Sequence, residues 1–174
     1  VVLMTSAVLI VLPALYCCFF EYDHGTIHDR TIHSLFQSVT TRTAGFNTTD
    51  LAAMDESGTA IMVILMLIGG SPGSTAGGMK TTTFAVLLLS AITVFSRRND
   101  VQCFKRRISD ETVRSAGAVL FMYLVLFFFG GWIISMVEGL PMLTCLFETA
   151  SAVGTVGLSL GITPDLGILS RLIL

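Results

Sequence analysis

Apolar positions in this chain come in long runs, broken by short polar or glycine-rich stretches. The first run, residues 1–20, is long enough as a helix to cross a hydrocarbon core of about 30 Å. Pro13 predicts a kink there, because proline removes one helical hydrogen bond. Residues 21–33 carry Glu21, Asp23, His24, His28, Asp29, Arg30 and His33, and read as an aqueous loop. Residues 31–40 are mildly apolar and too short to span, which predicts a re-entrant half-helix. Asp50 is placed to cap a helix over residues 51–68. Five glycines and a proline within 69–78 stop that helix, since neither residue suits a regular helix interior. An apolar helix resumes over 79–95. Residues 115–137, rich in Phe and Leu, predict the next spanning helix, and 142–151 a second re-entrant one. Pro164-Asp165 opens a last helix at the end of the chain.

Within this pattern one stretch occurs twice. Leu35-Phe36-Gln37-Ser38-Val39-Thr40-Thr41-Arg42-Thr43-Ala44-Gly45-Phe46-Asn47 returns, with one added residue, as Leu146-Phe147-Glu148-Thr149-Ala150-Ser151-Ala152-Val153-Gly154-Thr155-Val156-Gly157-Leu158-Ser159. Each copy places a short helix before a threonine–x–glycine segment. Glycine permits backbone angles that turn successive carbonyls toward one axis, and the helix in front aims the negative end of its dipole at a cation. Irregular backbone at membrane depth is tolerated only when buried or lining a water-filled path. Rings of such carbonyls replace the hydration shell of potassium in Thr-Val-Gly-Tyr-Gly filters. The candidate filter residues are therefore Thr43, Ala44, Gly45 and Phe46 with Thr155, Val156, Gly157 and Leu158. Potassium is expected at Thr43, Gly45, Thr155 and Gly157. Asn47 and Ser159 stand where the second filter glycine would be, which predicts looser selectivity.

Composition agrees with a membrane setting. Of the 174 residues 53% are hydrophobic and only 13% charged, with mean hydropathy +0.80, against roughly 25% charged in soluble domains. The net charge of −2 and the lack of a basic tail argue against a nucleic-acid partner. Cys17, Cys18, Cys103 and Cys145 show no paired spacing and read as free thiols. No basic region precedes residues 1–20 and no small-residue cleavage site follows, so a signal peptide is not expected. Both chain ends fall in mid-helix, which reads as an excerpt of a longer protein.

Six of the ten basic residues, Arg97, Arg98, Lys105, Arg106, Arg107 and Arg114, lie in 97–114. By the positive-inside tendency this loop is cytoplasmic. The helix over 115–137 then runs outward, and the second filter is entered from outside. The first copy shares that orientation only if residues 51–95 cross once, as a helix broken at the glycine-rich stretch. Two crossings would put the copies on opposite faces, as in an inverted repeat. The single crossing is preferred because Lys80 is the only charge over 57–96 and no basic cluster marks a hairpin.

Other features carry a functional and a bland reading. Gly69 to Gly78 followed by Met79-Lys80-Thr81 departs from a phosphate loop, which needs glycine directly before lysine. A gate below the filter is the better reading, and a passive kink the alternative. Arg42 needs a partner if buried; Glu148, on the matching re-entrant helix, or another carboxylate behind the filter is expected to supply it. Arg42 reaching outer water is the alternative. Lys80 could line the vestibule or snorkel. His24, His28 and His33 read as solvated rather than metal-binding.

Together, the two repeated units, the segment Thr41 to Thr48 and the segment Gly69 to Thr83 resemble the Trk/Ktr/HKT superfamily of cation transporters, most closely the membrane subunit of bacterial Ktr-type potassium uptake systems. The resemblance implies an all-α integral membrane protein built of helix–re-entrant pore helix–filter–helix units in pseudo-fourfold array. Residues 1–98 would be one pore unit, with filter 41–48 and an inner helix broken at 69–78. Residues 99–114 would be the cytoplasmic basic loop, and 115–174 a second, truncated unit with filter 153–159. It also implies potassium uptake, with sodium as a second permeant or coupling ion, across the cell membrane. Gly69, Gly70, Ser71, Pro72, Gly73, Ser74, Thr75, Ala76, Gly77, Gly78 and Lys80 would form the gating loop. The implied partners are the missing pore units of the same chain, a second copy in a homodimer, and a cytosolic ring of nucleotide-binding regulatory subunits. No covalent cofactor and no enzyme activity are implied. The family's pore-closing arginine lies in the last inner helix, and Arg171 comes too soon after Asp165 to take that role. The competing classes are a membrane component of an ATP-driven pump and a structural membrane scaffold.

Overall fold

The computed structural model describes residues 2–22, 26–74, 76–97, 101–103 and 106–174. Asp23, His24, Thr75, Arg98 and Lys105 of the sequence reading lie outside the described residues. The chain is helical, in the order α1 (Val2–Tyr16), α2 (Ile27–Thr40), α3 (Glu56–Leu67), α4 (Thr81–Phe95), α5 (Asp110–Glu138), α6 (Met142–Val153) and α7 (Ile168–Ile173). A two-residue hairpin, Gln102–Cys103 with Arg106–Arg107, interrupts the basic segment.

Among the described residues two stretches reach membrane length. α1 continues through a π turn at Cys17–Glu21 to give 20 residues, and α5 has 29. The outward faces of α1, α4 and α5 expose Leu12, Phe19, Ile92, Phe121, Phe129 and Trp132, a surface suited to hydrocarbon or to further helices.

Several element starts differ from the sequence expectation, and at α2, the turn after Asp50 and α5 a capping side chain decides them. α2 begins at Ile27, inside the stretch read as loop, since Thr26 accepts from the Asp29 amide at 3.3 Å and Asp29 sits in the first turn. Asp50 does cap, accepting from the Ala52 amide, but over a single 3-10 turn, Leu51–Ala53, before α3. α5 opens at Asp110 behind Ser109, whose hydroxyl accepts from the Thr112 amide. Pro164 lies in a 3-10 turn, Thr163–Asp165, and α7 starts three residues later.

α5 and α6 pack closely because α5 carries Gly130 and Gly131 at the contact. A β-carbon at Gly131 would lie 2.6 Å from Leu146 Cδ2, and one at Gly130 2.8 Å from Thr149 Cγ2. Small residues let helix backbones approach in this way. The main core joins Leu51, Met62, Val63, Met66, Phe127, Phe147, Ala150, Val156 and Leu158. It therefore seats α3 and α6 against each other and anchors the segment after α6 through Val156 and Leu158.

Candidate functional site

The chain leaving each re-entrant helix folds back on that helix by hydrogen bonds from its amides. In the first copy the Ala44 and Gly45 amides both donate to the Thr40 carbonyl at 3.1 Å. In the second, the Gly154, Thr155 and Val156 amides donate to the carbonyls of Ala150, Ala152 and Ser151, and the Gly157 amide to the Ser151 hydroxyl at 3.1 Å. With the amides so engaged, the carbonyls face elsewhere. Among the described residues no hydrogen bond ends on the carbonyls of Thr43, Ala44, Gly45, Thr155, Val156 or Gly157.

The backbone angles explain how. Thr43 (φ 70°) and Gly45 (φ 72°) flank Ala44; Thr155 (φ 52°) and Gly157 (φ 90°) flank Val156. Both segments thus alternate between left-handed and ordinary backbone. Such alternation brings successive N–H groups to one side and the carbonyls to the other. A β-branched residue rarely accepts positive φ, and holding one there costs about 1–3 kcal/mol. Two threonines at equivalent positions carry that strain.

The two segments also touch. A β-carbon on Gly45 would lie 2.1 Å from the Val156 carbonyl oxygen and 3.6 Å from Gly157 Cα. The second segment is locked by its side chains: Val156 and Leu158 are buried while Thr155 and Gly157 are exposed. The first is more open, with Phe46 71% exposed. A cavity of about 420 Å³ lies beside the second segment, lined by Ser151, Thr155, Gly157, Ser159 and Thr163 among others.

Glu148 is buried at 4% exposure on α6. Its Oε1 accepts from the Ser159 hydroxyl and the Leu160 amide, both at 2.8 Å, and its Oε2 from the Thr163 hydroxyl at 2.9 Å. The expected pairing with Arg42 does not form: hydroxyl and amide donors just beyond the filter already occupy the carboxylate. Arg42 is half-buried, and its Nε has no partner among the described residues. Gln37, the matching residue on α2, is buried and donates to the Met62 sulfur at 3.4 Å.

Sequence reasoning missed the residues that tie the filters down: Thr40, whose hydroxyl donates to the Phe46 carbonyl at 2.6 Å, and Ser151, Ser159 and Thr163. Thr40 and Ser151 occupy matching positions of the repeat, and a hydroxyl in both copies was the available signal.

The glycine-rich stretch is a folded loop with a neck. Ile68 and Met79 form a parallel bridge, with the Gly69 amide donating to the Met79 carbonyl and the Met79 amide to the Leu67 carbonyl. Parallel pairing means that the chain leaves α3 and enters α4 in the same direction, as in one broken helix rather than a hairpin. At the tip, Ser71-Pro72-Gly73-Ser74 makes a turn closed by the Ser74 amide on the Ser71 carbonyl, with Gly73 at φ 85°. Proline followed by glycine at positive φ is the type II pattern. The Lys80 ammonium is held by the loop itself. It folds back to donate to the Ala76 carbonyl at 2.5 Å and the Ser74 carbonyl at 3.2 Å. The loop lies against the second filter segment, the Gly77 amide donating to Thr155 Oγ1 at 2.9 Å. Of the three histidines, His28 and His33 are described; no group of three or more metal-ligating side chains gathers among the described residues.

Comparison with known proteins gives the family and the fold. The family model described as TrkH, cation transport protein, matches residues 1–174. The potassium/sodium uptake protein NtpJ of Enterococcus hirae is 38% identical over 154 residues, covering 86% of this chain and 34% of its own length. The Ktr system potassium uptake protein B of Bacillus subtilis is 41% identical over 143 residues, covering 82% and 32%. The crystal structure of the potassium transporter TrkH from Vibrio parahaemolyticus matches with a TM-score of 0.79 at 22% identity, over 98% of this chain and 39% of that one. At that identity the likeness concerns the fold. The chain spans about a third of the length of the curated relatives it matches.

Proposed function

Because the chain belongs to the TrkH cation transport protein family, we propose that it supplies two quarters of a membrane pore that takes up potassium. Sodium is the second permeant or coupling ion. The observation that carries this reading is the contact between the Gly45 and Val156–Gly157 segments. Each has alternating backbone handedness and carbonyls free of other partners.

A bare monovalent cation entering from water loses its hydration shell and needs oxygen ligands in return. The carbonyls of Thr43, Gly45, Thr155 and Gly157 are the ligands this chain offers. The C-termini of α2 and α6 add the negative end of their dipoles. Glu148 holds the stretch after the second filter, and Arg42 stands behind the first. The folded loop over 69–78, seated against Thr155, is the gate. No bond is made or broken. The remaining pore lining comes from the rest of the chain. The basic segment 97–114 faces the cytoplasm and a ring of nucleotide-binding regulatory subunits, and a second copy of the chain completes a homodimer in the membrane.

The test uses the full-length protein in liposomes. Gly45→Ser and Gly157→Ser each reduce the preference for potassium over sodium, because a side chain forces a carbonyl off the axis. An unchanged uptake ratio in both variants overturns the filter assignment. Shortening the 69–78 loop raises flux without altering the ratio; loss of flux in a correctly inserted protein makes the loop a structural support.

A further inference from the structure

Thr155 has two claims on its hydroxyl. In the structure Thr155 Oγ1 accepts the Gly77 amide at 2.9 Å. That approach is available only to glycine: a β-carbon on Gly77 would lie 2.0 Å from Oγ1, 2.7 Å from Cγ2 and 2.8 Å from Cβ of Thr155. The equivalent Thr43 has no such tie, since its hydroxyl donates to the neighbouring Arg42 carbonyl at 2.6 Å. Among the described residues the loop is thus hydrogen-bonded to one filter segment and not to the other. Lys80 shapes the loop for this contact, holding the Ser74 and Ala76 carbonyls immediately before Gly77. Thr155 keeps positive φ despite its branched side chain.

We propose that the Thr155 hydroxyl serves alternately as the latch for the gating loop and as a ligand for the permeating cation, so that cation occupancy at the loop end of the filter and loop closure oppose one another. The inference rests on the pore reading above. A hydroxyl oxygen can accept from an amide or coordinate a cation. The amide hydrogen, however, brings a positive end to the same oxygen and repels a cation beside it. Each state therefore weakens the other, and by linkage the effect is reciprocal. Potassium at Thr155 loosens the loop, and a latched loop lowers potassium affinity. The pore is then opened in part by the ion it carries.

The experiment uses full-length protein in liposomes, with Ser74→Cys as a reporter in a background lacking its native cysteines. A water-soluble maleimide reads loop accessibility in choline or potassium medium, and potassium uptake is measured in parallel. The expected result is labelling at least fivefold faster in saturating potassium. Thr155→Val gives the fast rate in choline with no further potassium effect, and Thr155→Ser restores the potassium dependence. Potassium-independent labelling of the reporter protein overturns the proposal, as does Thr155→Val labelling in choline no faster than the slow rate of the reporter protein in choline. Should Thr155→Val fail to insert, the potassium titration of the reporter protein decides by itself. Uptake that persists while labelling ignores potassium removes only the shared hydroxyl; absence of uptake by the parent protein, without the reporter cysteine, removes the pore reading.

Discussion

Gly45→Ala isolates what the contact between the two filter segments contributes. At φ 72°, an L side chain costs about 1–2 kcal/mol in backbone strain. The larger effect is steric. The new β-carbon would stand 2.1 Å from the Val156 carbonyl oxygen, and restoring an ordinary contact of 3.4 Å moves that oxygen by about 1.3 Å. That shift swings the Val156–Gly157 peptide and carries with it the adjoining Thr155 and Gly157 carbonyls, both proposed ion ligands. A hydrogen bond to a charged group contributes roughly 1.5–3 kcal/mol, the scale for losing one such ion–carbonyl contact. At tenfold per 1.4 kcal/mol, losing that contact weakens apparent potassium affinity by about ten- to a hundredfold. Gly157→Ala is the control: it meets the same positive φ, at 90°, but its β-carbon finds no atom within 4 Å. It therefore carries the strain without the clash and has the smaller effect. The assay is concentration-dependent potassium uptake by the full-length protein in liposomes, with sodium as competitor. Parent-like affinity and preference in a correctly inserted Gly45→Ala protein, or a larger loss in Gly157→Ala, refute the reasoning.

Three further outcomes follow from the same geometry. Glu148→Ala strands donors on Ser159, Leu160 and Thr163. At roughly 1–3 kcal/mol for each unsatisfied group, thermal unfolding in detergent shifts clearly downward, and a melting temperature equal to the parent's contradicts the network. Lys80→Met frees the Ser74 and Ala76 carbonyls and raises potassium flux at an unchanged potassium-to-sodium ratio; slower flux in inserted protein contradicts the clamp. Gly131→Leu wedges α5 from Leu146 of α6 and lowers thermal stability, by about 1–3 kcal/mol as overpacking does, whereas Gly117→Leu, with no atom near its β-carbon, leaves it near the parent value.

What could be read from the sequence was whatever local chemistry repeats. Gly45 and Gly157 stood out because a threonine–x–glycine unit recurs behind the same short helix, and positive φ at both is what glycine there allows. The break over 69–78 was legible because glycine and proline end helices wherever they cluster. Side-chain partners across long separations were not. Glu148 binds residues 11 to 15 positions downstream, and only the return of the chain over α6 reveals that its oxygens are occupied and closed to Arg42. Lys80 looked like a membrane-edge lysine because its acceptors are backbone carbonyls, which leave no trace in residue types. The Thr155–Gly77 contact joins positions 78 apart and appears only once the loop folds back. Helix starts moved wherever a cap such as Thr26 or Ser109 overruled the apolar pattern.

The most direct measurement is a diffraction experiment on crystals of the full-length protein grown with thallium in place of potassium. The account predicts an anomalous peak on the carbonyl side of both segments, in contact with oxygens of Thr43, Gly45, Thr155 and Gly157. Thallium bound elsewhere along an open path, with none between those segments, would contradict it.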